Sequence, residues 1–92
     1  MVPIDQHIPT SGQFRAARAL LALSQDDLAA LSGTSRRTIV SMESGSGQVM
    51  SETLRAVVKA LDSLGITFFA TEEMVGVKRQ SRPNHVDDKP SR

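Results

Sequence analysis

Residues 24–45, SQDDLAALSGTSRRTIVSMESG, allow few folds. Two helix starts and two glycine stops are crowded into this one stretch. Ser24 reads as an N-cap, with Asp27 three residues later completing a capping box. Asp26 and Asp27 both fall in a first turn, where the helix dipole favours negative charge. Leu28 and Leu31 are expected to face inward, beside the small Ala29 and Ala30. Gly33 then ends the helix, because a residue without a Cβ takes positive φ at low cost. Ser35 starts a second helix at once, with Arg36, Arg37 and Thr38 in its first turn. Ile39 and Met42 turn inward and Gly45 is the stop. Cations at a helix N-terminus oppose the dipole. The adjacent arginines therefore imply an anionic partner.

The run S-Q-D-D-L-A, followed by G-T-S-R-R-T-I-V-S-M-E-S-G, resembles the lambda-repressor-like helix-turn-helix family, also called the xenobiotic-response-element regulators. Leu23-Ser24-Gln25, Leu28-Ala29, Gly33-Thr34-Ser35, Thr38-Ile39 and Glu43-Ser44-Gly45 fall in register with that family's pattern. The similarity spans about residues 14–64. It implies a DNA-binding regulator whose second motif helix enters the major groove N-terminus first. On that resemblance Arg36, Arg37 and Ser41 read bases, arginine suiting guanine O6 and N7. Gln25, Ser35 and Thr38 contact phosphate, as does Arg15 from the start of the first helix. Arg18 and Glu43 form a structural ion pair. Two positions depart from the pattern: Val40, where the family often has a polar residue, and Met50, where it often has proline.

The flanking sequence fits a mainly helical domain. Residues 1–12 hold two prolines and little periodicity and read as a flexible arm. A first helix is expected over residues 13–23, with Thr10 or Ser11 near its cap. Phe14, Ala16, Ala17, Leu20 and Leu21 follow helical spacing. After the loop GSGQVM, Ser51 is expected to cap a fourth helix over residues 52–64, with Leu54, Val57, Val58, Leu61 and Leu64 on its inner face. Gly65 closes the helical domain, residues 13–65. Residues 66–78 change character: ITFFA and MVGVK flank the turn Thr71-Glu72-Glu73 and predict a short β-hairpin or strand pair. Because a lone hairpin is marginal in water, it gains stability either by packing on helix four and capping its own core or by pairing with the same strand of another subunit. The expectation is a homodimer surface, through Ile66, Phe68, Phe69, Val75 and Val77. Residues 79–92 are polar and unpatterned and read as a disordered tail. The expected fold is a compact four-helix lambda-repressor-like domain with a C-terminal β element.

Composition narrows function. Ninety-two residues suit one small domain. With no cysteine, disulfides and thiolate metal sites are excluded. His7 and His85 stand far apart in the predicted ends, and no metal or cofactor is expected. Neither a glycine-rich phosphate loop nor a catalytic cluster is visible, so the chain is not expected to be an enzyme. No apolar run approaches the roughly 20 residues that span a bilayer. No signal peptide is recognisable, which points to the cytoplasm. Net charge is only +1. In the first half, Arg15, Arg18, Arg36 and Arg37 stand against Asp5, Asp26, Asp27 and Glu43. Asp26 and Asp27 can point away from the arginine pair. The leading expectation is a sequence-specific transcriptional regulator, a repressor, acting as a homodimer on double-stranded DNA. The alternative is a protein-interaction module on the same scaffold, an antitoxin or anti-activator whose partner is a toxin or a transcription factor.

Overall fold

The chain enters its first helix two residues earlier than its periodicity suggests. Thr10 is the N-cap of α1 (Ser11–Leu20) and its hydroxyl accepts from the Gln13 amide. The Gln13 side chain returns the bond by accepting from the Thr10 N–H at 2.8 Å, completing a capping box. Pro9 is already buried, so the expected arm of residues 1–12 yields its last residues to the domain. The computed structural model describes residues 8–80. The calls on residues 1–7 and 81–92, with His7 and His85, lie outside the described residues.

α1 also ends earlier than expected. Its C-cap is Leu21, and Ala22 adopts φ 56°, the one non-glycine residue with positive φ among those described. The Leu23 N–H then donates to the Arg18 carbonyl at 3.1 Å. An L-residue in this left-handed region costs about 1 kcal/mol. Nothing in the side chain of alanine signals such a turn.

α2 (Gln25–Ser32) begins at the expected Ser24 capping box. Ser24 Oγ accepts from the Asp27 N–H at 2.9 Å, and an Asp27 carboxylate oxygen accepts from the Ser24 N–H at 3.0 Å. Gly33 stops it with φ 73°. α3 (Arg36–Ser44) follows at once, capped by Ser35 and stopped by Gly45. α4 (Ser51–Ser63) starts one residue early: Met50 is its N-cap and makes no side-chain capping bond. Ser51, the expected cap, is its first residue.

The chain then turns through Gly65 into an antiparallel hairpin of β1 (Ile66–Ala70) and β2 (Val75–Arg79). Arg79 therefore belongs to the sheet and not to a tail. Pairing runs from Ile66 opposite Arg79 to Ala70 opposite Val75. The Thr71 hydroxyl closes the turn by accepting from the Glu73 and Met74 N–H groups. Phe69 faces Gly76, and a Cβ there would lie 2.3 Å from the Phe69 ring, so only glycine lets the ring lie flat on β2.

One core joins the four helices and β1, with Val77 of β2 packed against it. Phe14 and Ala17 of α1, Leu28 and Ala29 of α2, Ile39 and Met42 of α3, Val57 and Leu61 of α4, and Ile66 and Phe68 of β1 are buried together. Phe14 and Phe68 meet edge to face, with centroids 5.6 Å apart. Three leucines expected to face inward, Leu20, Leu31 and Leu64, lie outside it. Leu31 is 53% exposed. At 100° per residue, the buried stripe of α2 runs through Gln25, Leu28, Ser32 and Ala29, leaving Leu31 well off its edge. Leu20 is likewise exposed, in the last turn of α1.

Gln13 ties the two ends of the domain together. It is buried, and its amide nitrogen donates to the carbonyls of Phe69 (3.1 Å) and Gly76 (2.8 Å). One side chain thus caps α1 and clamps both strands. The Thr-x-x-Gln spacing at Thr10 carried the capping half of this role. Its long-range half had no sequence signal.

Candidate nucleic-acid interface

α3 has two chemically distinct faces. Ile39, Met42 and Glu43 are buried on the inner one. Arg36, Arg37 and Val40 are exposed on the outer one, with Ser41 half-buried beside them. Helical spacing dictates this split. Positions 36, 37, 40 and 41 occupy an arc of about 140°, and positions 39, 42 and 43 fall in the opposite one. The sequence thus builds a helix anchored by its apolar stripe that presents two arginines in its first turn.

The start of α3 is held by hydroxyls. Ser35 Oγ accepts from the Thr38 N–H at 3.1 Å and lies 3.0 Å from Thr38 Oγ1. This short bond network keeps both hydroxyls at the surface beside Arg36 and Arg37. Beyond it opens a cleft of ≈ 390 Å³, lined by Arg37, Thr38 and Ser41 of α3 and by Gln48, Val49, Met50 and Thr53. The loop before α4 therefore forms the second wall of the outer face.

The other end of α3 is fixed to α1. The carboxylate of Glu43, whose residue is 3% exposed, accepts from Arg18 through both oxygens, at 2.7 Å from Nε and 2.8 Å from Nη2. Such a forked pair is the strong form of an ion pair. The Arg18 guanidinium also donates to the Leu23 carbonyl. The hydrogen bond to Glu43 raises the Arg18 pKa further above its ordinary value, against the opposing effect of burial. Arg18 therefore stays charged at every accessible pH. The two residues singled out as an ion pair are brought together.

Two of the expected phosphate contacts are drawn into this network. Gln25 donates through Nε2 to Glu43 Oε1 at 3.2 Å. Arg15 donates to the Glu43 backbone carbonyl, satisfying a carbonyl in the last turn of α3. Arg15 is itself exposed and this bond uses one of its guanidinium N–H groups, so its expected contact with phosphate stays a proposal. The expectation for Asp26 is corrected. It does not point away from the arginine pair but lies 3.7 Å from Arg36. Both partners are exposed, so water screens the contact and it contributes about 0–1 kcal/mol.

The hairpin residues divide. Ile66 (1% exposed) and Phe68 (6%) are built into the chain's own core. The expectation that they form a dimer surface is corrected, since exposing them would open the domain. Alternation along β1 turns them inward, as the sequence placed them on one side together with Ala70. Phe69 and Val77 are half-buried, and Val75 is exposed.

Among the described residues, no group of His, Asp and Glu could hold a metal ion, and no helix is long and apolar enough to cross a membrane. A search of curated proteins found no match to this chain. A family model described as helix-turn-helix matches residues 14–69, which takes in most of α1, all of α2, α3 and α4, and most of β1. That match covers more than half of the sequence, and the capped, glycine-stopped α2 and α3 sit at its centre. The chain belongs to the lambda-repressor-like, xenobiotic-response-element family of DNA-binding helix-turn-helix proteins.

Proposed function

We propose that the protein is a sequence-specific transcriptional repressor that binds double-stranded DNA as a homodimer. The observation that carries this reading is the outer face of α3. Two adjacent arginines are presented at the surface by a helix whose other face is locked in the core. Arg36, Arg37 and Ser41 read base edges in the major groove. Ser35 and Thr38 face the flanking phosphates, and Gln25 reaches them from the start of α2. Asp26 holds Arg36 in the free protein through a contact weak enough to give way to a guanine. Its negative charge also tempers indiscriminate attraction to phosphate. The protein acts in the cytoplasm and represses by occupying a promoter.

A single α3 reads only a few base pairs. A homodimer places two such helices in successive major grooves about 34 Å apart. The hairpin supplies the dimer contact through Val75 at its end, with Phe69 and Val77 behind it. The same exposure favours a second reading, in which Met74 and Val75 engage a toxin or a transcription factor.

The test is selection of duplexes from a randomised library by the full chain, followed by binding of the enriched duplex at two salt concentrations. The wild type is expected to bind it specifically, with affinity falling as salt rises. Arg36→Ala with Arg37→Ala should lose that specificity and keep its helical circular dichroism. Enrichment of the same sequence by the double variant would refute the assignment of α3. Loss of DNA binding with retained capture of a protein partner would show two separate surfaces.

A further inference from the structure

Val40 has no task in the fold. It lies on the outer face of α3, 40% exposed, and is absent from the apolar side chains that pack against the core. A β-branched residue is a mediocre helix former, so local structure does not call for it either. A polar residue would sit there at no cost to stability. Its neighbours are chemically telling. Val40 is four residues after Arg36 and three after Arg37, the spacings that put side chains side by side on a helix. Ser41 follows it at the edge of the cleft lined by Arg37.

Resting on the reading of α3 as the base-contacting helix, we infer that Val40 is a specificity-determining residue that selects a 5-methylpyrimidine, thymine in ordinary DNA. The chemistry is selective. Every polar edge in the major groove is a hydrogen-bond donor or acceptor, and the thymine methyl is the apolar group among them. A valine brought to the groove floor between two arginines leaves polar edges unsatisfied and gains by covering that methyl. The arginines read guanine, and Val40 reads a thymine neighbouring the guanine step. The recognised half-site therefore combines G and T.

The test uses the duplex enriched by the full chain and replaces each thymine in turn with deoxyuridine. This removes one methyl from the DNA and leaves the protein untouched. One thymine in each half-site is expected to matter, its replacement weakening wild-type binding about four-fold, the equivalent of one buried methyl. Val40→Ala should bind the thymine and uracil duplexes equally well. Wild-type indifference to uracil at every position overturns the proposal while leaving the DNA reading intact. So does a Val40→Ala variant that keeps the wild-type sensitivity. If no duplex is enriched, the DNA reading itself fails and the assignment of Val40 falls with it.

Discussion

Glu43 shows how one residue can set the geometry of a surface it does not belong to. Its carboxylate takes two bonds from Arg18 and one from Gln25, and its backbone carbonyl takes one from Arg15. These bonds fix the end of α3 to α1 and to the start of α2. Glu43→Gln keeps the shape but replaces one acceptor oxygen with a donor, so a donor must face Arg18 or Gln25. Removing one partner of a buried pair typically costs about 3–5 kcal/mol. Arg18 retains about a quarter of its side-chain exposure, so a loss of about 3 kcal/mol is expected here. Urea unfolding measures it through the midpoint. A loss below about 1 kcal/mol would mean that water screens the pair as it does at an open surface.

At the scale of elements, the Ser24–Asp27 capping box makes stability depend on acid. The Asp27 carboxyl is held below its usual range, first by the Ser24 backbone N–H and then by the Ser24 hydroxyl. The folded state thus binds this proton more weakly than the unfolded chain does. Its contribution is complete above the unfolded value of about 3.9 and is lost as pH falls through the lower folded value. Asp27→Asn removes the titrating group. Its melting temperature should lie below wild type at neutral pH, and the gap should close below about pH 4. A gap that stays constant from pH 7 to pH 2.5 would show that the carboxylate charge plays no part. These elements were also the most legible in the sequence, because their signals are local. Ser24, Ser35, Gly33 and Gly45 each act within one turn of themselves, and each does what its residue type suggests. The misjudged positions depend on packing between elements. Leu31 belongs by spacing to Leu28 but falls outside a stripe set by α3 and α4. Ile66 and Phe68 look like an adhesive strand until α1 brings Phe14 against them.

For the whole molecule, the proposed homodimer requires an exposed apolar surface. With Ile66 and Phe68 consumed by the core, the hairpin offers Val75 and the adjoining Met74 to a second subunit. Val75→Asp should leave the thermal melt nearly unchanged, because the side chain is already exposed. It should halve the mass seen by sedimentation equilibrium and weaken binding to a two-half-site duplex. A wild-type chain that sediments as a monomer at every concentration would remove the dimer from the proposal. Gln13 bears on the molecule as a whole in another way. Its acceptors lie 56 and 63 residues further along the chain. During synthesis α1 leaves the ribosome long before either carbonyl exists. Until the hairpin has emerged, the amide nitrogen of Gln13 has neither of its two carbonyl acceptors. A ribosome-bound fragment that ends before β1 can thus cap α1 through Thr10 and Gln13 but lacks both carbonyls that clamp it to the hairpin.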